Sequence, residues 1–124
     1  MNIVDSSGWL AYFADESNAK HFLTPLNDPA LLVVPTVTIY EVFKVILRES
    51  SENEALQAVF AMQKGNVVDL SVPLAIAASK LSLEHNLPMA DSIILATAQE
   101  FKAILWTQDS DFKNMGNVKY FQKK

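Results

Sequence analysis

Four acidic side chains, spread along the whole sequence, offer the chemistry of a hard divalent cation. Asp5 closes the apolar run Ile3-Val4, and Asp109 follows Trp106-Thr107. With both runs as strands of one parallel sheet, both carboxylates lie beyond strand carboxyl ends, the edge at which open α/β sheets build their sites. Each, taken singly, also suits a plainer role as a cap. Asp91 says more. Ile94, Leu95, Ala98 and Phe101 share a helical face, and Asp91 precedes the first three by three, four and seven residues. A carboxylate on that inward stripe is costly unless paired or metal-bound, and its place in the first helical turn favours negative charge. Glu41 falls with Lys44 and Arg48 opposite an apolar stripe. That polar face is either solvated and held by ion pairs, or turned into a cleft, with Glu41 a ligand and Lys44 and Arg48 approaching phosphates.

Composition narrows the chemistry. The 124 residues include no cysteine, which excludes disulfides and thiolate metal sites, while 14 Asp and Glu supply oxygen ligands. Carboxylates gathered in a small pocket repel one another unless a cation joins them, and oxygen ligands suit a hard cation, Mg²⁺ or Mn²⁺ where the substrate is a phosphate. His21 lies in a polar stretch and His85 in the last turn of a helix, so neither suggests a Ser-His-Asp arrangement. With only three glycines there is no phosphate-binding glycine loop. The net charge of −4 means that any nucleic-acid contact is local rather than spread over a basic surface.

These side chains need elements to position them. Ile3-Val4 predicts a first strand, with Ser6 and Ser7 as caps of a short helix containing Trp9, Leu10 and Phe13. Ser17–Leu26 reads as a second helix. The run Leu31-Leu32-Val33-Val34, closed by Pro35, is a strand buried on both faces. A helix follows over 36–50, with Ile39, Val42, Phe43, Ile46 and Leu47 on one face. Ser51 and Glu54 form a capping box for the next, which ends at Gly65-Asn66. Val67–Leu70 is a strand, Ser71 caps a helix to His85-Asn86, and Met89–Lys102 is another helix. Strands at 103–107 and 118–121 close the chain. Short apolar strands alternating with helices predict a single domain over 1–124, a three-layer α/β/α sandwich with a parallel central sheet. No stretch reaches the ~18 apolar residues of a membrane span. The N-terminus lacks the basic and apolar regions of a signal peptide, so a soluble cytoplasmic protein is expected.

The same residues carry a resemblance. Ile3-Val4-Asp5-Ser6-Ser7, Val33-Val34-Pro35-Thr36 leading to Tyr40-Glu41-Val42, Ala90-Asp91-Ser92-Ile93-Ile94-Leu95-Ala96-Thr97-Ala98, and Thr107-Gln108-Asp109-Ser110-Asp111-Phe112 follow one another in a family's order and spacing. The sequence resembles PIN-domain ribonucleases, specifically the VapC-type toxins of prokaryotic toxin–antitoxin pairs. Trp106 and Met89 stand where the family more often has smaller residues. The resemblance implies a PIN-like fold and a metal-dependent endoribonuclease that hydrolyses RNA through a metal-activated water, leaving 5′-phosphate and 3′-hydroxyl ends. It implies Asp5, Glu41, Asp91 and Asp109 as catalytic carboxylates. Asp5, Asp91 and Asp109 would be the main metal ligands, Glu41 would bind directly or through water, and Asp111 would share or replace the role of Asp109. Ser6 and Thr107 are expected to hydrogen-bond a ligand carboxylate or water. It further implies a homodimer and a cognate antitoxin that fills a groove and blocks the acidic site with a basic side chain. Tyr12, Phe13, Tyr40 and Phe43 are candidates for that groove, with Phe43 read as ordinary core. The alternatives are a catalytically silent PIN-like module that binds RNA or a protein, a receiver-like phosphoacceptor domain, and a DNA-directed nuclease. Asp5-Ser6-Ser7 lacks the adjacent acids of a receiver domain.

Overall fold

A computed structural model describes residues 1–124. Five short strands, β1 (Asn2–Val4), β2 (Leu32–Pro35), β3 (Asn66–Val68), β4 (Ile104–Thr107) and β5 (Val118–Tyr120), form one sheet in the order β3-β2-β1-β4-β5. Every pairing is parallel, with Ile3 opposite Val33 on one side and Leu105 on the other. Parallel neighbours demand crossovers. The helices supply them: α1 (Ser6–Phe13), α2 (Leu23–Leu26), α3 (Thr36–Glu49), α4 (Glu52–Met62), α5 (Val72–His85) and α6 (Met89–Glu100).

The period of two along each strand sorts the core into two layers. Ile3, Val33 and Leu105 point to one face and pack with Leu74, Ala78 and Leu81 of α5 and Ile93, Ile94 and Ala98 of α6. Their neighbours Val4, Leu32, Val34 and Trp106 point to the other, against Trp9 and Ala11 of α1, Val42 of α3 and Ala58 and Met62 of α4. The result is the expected α/β/α sandwich. β1 is its central strand, flanked by β2 and β4, so the direction of winding reverses beside it and a crevice opens at the carboxyl ends of β1 and β4.

Most element ends match their caps. Ser51 Oγ accepts from the Glu54 amide at 3.1 Å and Ser71 Oγ from the Leu74 amide at 3.3 Å. Asn86 stops α5 in the left-handed region at φ 55°, which asparagine tolerates well. Three expectations change. The single helix over Ser17–Leu26 is a 3-10 turn (Ala19–Phe22) followed by the one-turn α2. Pro25 within α2 has no amide to extend a ladder, and Phe22 is drawn fully into the core. The α1 cap is Asp5 rather than Ser6 or Ser7. Phe101, expected on the inward stripe of α6, ends that helix and is 38% exposed, while Ser92–Ala98 are all buried between α5 and the sheet. No helix is long and apolar enough to cross a membrane.

Candidate metal centre

At the end of β1 the chain turns sharply into α1, and the Asp5 carboxylate caps that helix from inside the protein. It is 2% exposed. Oδ1 accepts from the Gly8 amide at 3.0 Å and from Ser7 Oγ at 2.8 Å; Oδ2 accepts from Thr107 Oγ1 at 2.7 Å and lies 2.9 Å from Ser7 Oγ. Gly8 is required here. A Cβ at that position would lie 2.6 Å from Val4 Cγ1 and 2.8 Å from Phe22 Cε1, so only glycine lets α1 settle onto the sheet with Asp5 beneath it. Burial pushes the Asp5 carboxyl up to about 6, the hydrogen bonds from Thr107, Ser7 and Gly8 holding it back and the charge of Asp109 adding to the rise.

The end of β4 brings the next acids to the same edge. Thr107 Oγ1, which donates to Asp5, accepts from the Asp109 amide at 2.9 Å. Asp109 then caps the 3-10 turn Ser110–Phe112, its Oδ1 accepting from the Asp111 amide at 2.9 Å. That turn folds Asp111 back, anchored by the fully buried Phe112. Asp91, in the first turn of α6, completes the group: carboxylate oxygens of Asp91, Asp109 and Asp111 lie within 4.8 Å of one another. The Asp91 carboxyl is pushed up to about 8, by burial first, then by the charge of Asp109, a hydrogen bond shared with Asp111, and the charges of Asp111 and Asp5. Such a cluster of oxygens fits a hard divalent cation, whose charge would relieve the repulsion that otherwise holds a proton on Asp91.

Of the four expected acids, Asp5, Asp91 and Asp109 are brought to one edge together with Asp111, whereas Glu41 is tied to Ser6 and is not in their cluster. The tightest set is Asp91, Asp109 and Asp111, whereas Asp5 sits behind it with its oxygens occupied by hydrogen-bond donors. Asp109 and Asp111 both belong to the cluster, so neither excludes the other. Glu41 is half-buried on α3 and accepts a short hydrogen bond from Ser6 Oγ, which ties α3 to the start of α1. Lys44 and Arg48 are exposed: Lys44 Nζ lies 5.6 Å from the centre of the Tyr40 ring, and Arg48 pairs with Glu49 at 3.4 Å.

A groove of about 670 Å³ runs between α1, α3 and α4, lined by Leu10, Phe13, Ile46 and Ala58 with Glu49 and Glu54 among its acids. Of the aromatic candidates, Phe13 lines it, Tyr12 stands edge-on to Phe13 at 5.3 Å, and Tyr40 is 61% exposed. Phe43 is only half-buried and belongs to neither core layer, against its reading as ordinary core.

Sequence reasoning missed a buried polar chain behind the acids. Gln108, 5% exposed, donates from Nε2 to the Ser7 carbonyl at 3.2 Å and from its backbone N–H to Ser7 Oγ at 3.3 Å; Asn18, 2% exposed, donates to Gln108 Oε1 at 2.9 Å. Ser7 thus has its orientation toward Asp5 fixed from both sides. The placement of Gln108 directly after a strand that ends at the site was the one signal available.

Comparison with known proteins fits this architecture. The PIN-domain family model matches residues 3–118. No curated protein matches the chain in sequence. Among solved structures, a toxin–antitoxin complex from Klebsiella pneumoniae shares 25% identity at TM-score 0.81, covering 96% of each chain. A sarcin-ricin-loop-cleaving VapC toxin of Mycobacterium tuberculosis shares 17% identity at TM-score 0.79, over 94% of this chain and 95% of that one. DNA-bound VapBC from Salmonella typhimurium shares 12% at TM-score 0.75, over 98% of each. With a match that takes in nearly every element described above and all of the clustered acids, the chain belongs to the PIN-domain family.

Proposed function

We propose that this protein is a metal-dependent endoribonuclease and the toxin of a toxin–antitoxin pair, acting in the cytoplasm. The observation that carries the reading is the set of Asp91, Asp109 and Asp111 oxygens within 4.8 Å at the carboxyl edge of the sheet, with Asp5 immediately behind. In this reading Asp91, Asp109 and Asp111 hold Mg²⁺ or Mn²⁺, and Asp5 and Glu41 bind it directly or through water. A bound cation supplies charge neutralisation at phosphorus and an activated water. The chain itself supplies position. Ser7, Thr107 and the Gly8 amide fix Asp5, and Ser6 fixes Glu41. Oxygen from water adds to phosphorus as the water gives up a proton, the bond from phosphorus to the 3′ oxygen breaks, and that oxygen takes up a proton and leaves as a hydroxyl.

The apolar, acid-edged groove between α1, α3 and α4 suits an antitoxin segment with apolar anchors and a basic side chain. A homodimer is part of the same reading, supported by the exposed apolar stripe of Val72, Ile76 and Leu83 on α5.

The test is incubation of the purified chain with labelled single-stranded and hairpin RNA, and with matched DNA, in Mg²⁺, Mn²⁺ or EDTA, beside Asp91→Asn. RNA cleavage that needs metal and falls at least ~100-fold in the variant is expected, since even partners that only orient a metal ligand are worth ~10–100-fold. Cleavage of DNA alone replaces the substrate. No cleavage, together with no calorimetric metal binding by either protein, replaces the enzyme with a silent binding module.

A further inference from the structure

The chain is acidic, yet its charge is unevenly placed. The thirteen residues Phe112–Lys124 hold four lysines and no Asp or Glu, +4 in side-chain charge within a protein of −4, so the remainder carries −8. This basic segment includes β5, which lies beside β4, the strand that ends at Thr107 two residues before Asp109. Thr107 is opposite Tyr120 in that pairing, so the residues after Tyr120 emerge level with the acid cluster. There they line a cleft of about 410 Å³ with Asp109, Ser110, Tyr120, Gln122 and Lys123 in its wall. That size lies within the ~300–1,000 Å³ of small-ligand sites.

The wall has the parts that a nucleotide needs. Tyr120 is half-buried, its ring held at the cleft with the Lys113 ammonium 5.9 Å from the ring centre. Aromatic rings of this kind take bases by stacking without regard to sequence, and lysines beside them take the backbone charge. Ser110 and Gln122 offer hydrogen-bonding groups. Asp109 belongs both to this cleft and to the acid cluster, so whatever occupies the cleft is in contact with the site where phosphodiester chemistry is proposed. The earlier phosphate candidates Lys44 and Arg48 do not line this cleft.

We propose that the cleft between the ends of β4 and β5 is a subsite for the RNA nucleotide next to the scissile phosphate, with Tyr120 stacking on its base and Lys123 and Lys113 meeting the backbone. The proposal rests on the ribonuclease reading above and adds to it which surface takes the strand. Lys119 provides an internal control. It lies between Lys113 and Lys123 in sequence, but its ammonium sits 4.4 Å from the centre of the Trp106 ring and it does not line the cleft.

The experiment uses the full chain carrying Asp91→Asn, so that RNA survives, and two fluorescent pentanucleotides, oligo-U and oligo-A, followed by anisotropy and by amide chemical shifts. Shifts centred on Ser110, Tyr120 and Gln122 are expected. Tyr120→Leu should weaken binding roughly 5-fold or more, with Tyr120→Phe restoring it, because the ring and not the hydroxyl stacks. Lys123→Gln should lower the salt slope of log K by about 0.7, one single-strand phosphate contact, and Lys119→Gln should not. Equal effects of Lys123→Gln and Lys119→Gln, shifts confined to other surfaces, or no binding up to millimolar oligonucleotide overturn the subsite. Equal binding of a matched deoxy-oligonucleotide overturns its assignment to RNA. The cleavage assay separates the two readings. Wild-type chain that cleaves RNA with metal, and does so unchanged in Tyr120→Leu and Lys123→Gln, keeps the nuclease and rejects the subsite.

Discussion

Asp5 and Asp91 are two acids at one sheet edge, and they differ in the way opposite to burial. Asp5 is the more deeply buried, yet its carboxyl is lifted only to about 6, whereas the half-buried Asp91 is lifted to about 8. The difference lies in their neighbours. Asp5 looks at donors, the Gly8 amide and the hydroxyls of Ser7 and Thr107; Asp91 looks at acceptors, the carboxylates of Asp109 and Asp111. Donors at Asp5 take the place of water, so that a negative charge can be kept in the interior. At Asp91 nothing in the protein does so, and a proton or, in the proposed reading, a cation makes up the charge. One carboxylate is finished by the fold; the other is left for a ligand to finish.

The largest test of this contrast is the pH dependence of stability without metal. Both carboxyls sit above their ordinary value of 3.8, so between that value and about 8 the folded chain holds protons that the unfolded chain has released. Their contribution to stability is therefore fully present at low pH and is lost as pH rises through about 6 and then about 8. Melting temperatures measured in EDTA from pH 5 to 9 should fall, with the upper part of the fall missing in Asp91→Asn. Saturating Mg²⁺ or Mn²⁺ should flatten the profile, because the cation replaces the proton. A flat EDTA profile, or one unchanged in the variant, breaks the contrast.

Next comes the packing under Asp5. Gly8→Ala places a methyl 2.6 Å from Val4 Cγ1 and should cost about 1–3 kcal/mol in denaturant unfolding, as overpacked cores do. A loss well below that range would mean that α1 can shift without disturbing its cap. The smallest effect is expected from Thr107→Val, which removes one donor from Asp5 and the acceptor of the Asp109 amide. About 1 kcal/mol of stability should go, and the Asp5 carboxyl should titrate higher than about 6 by carbon-13 NMR. A lower value would show that the hydroxyl does not hold the charge.

How much of this could be read from the residues follows the same division. Apolar runs, caps and crossovers are local, so the strand at Ile3-Val4, the second strand and the capped starts of α4 and α5 were legible, although Leu31, expected in that second strand, ends the 3-10 turn before it and is 48% exposed. So was the arrival of Asp5 and Asp109 at one edge, since a parallel sheet leaves little choice. The 17–26 segment was not, because Phe22 is placed by its fit against the α1 backbone rather than by spacing. Nor was the pairing of Asp91 with Asp111, which depends on the 3-10 turn that folds Asp111 back over Phe112. Asn18 and Gln108 meet across 90 residues and leave no local pattern at all.

The central position of β1 has a consequence for the order of events during synthesis. Asp5 is made 102 residues before its partner Thr107, which lies on a strand that must insert beside β1. Contacts this distant close late and slowly in folding. A nascent chain that has emerged only through α6 carries Asp5, Glu41 and Asp91 but neither Asp109 nor Asp111. Interrupted translation therefore yields fragments with an unfinished acid cluster, and the complete cluster exists only in chains that have been made past β4 and the turn that follows it.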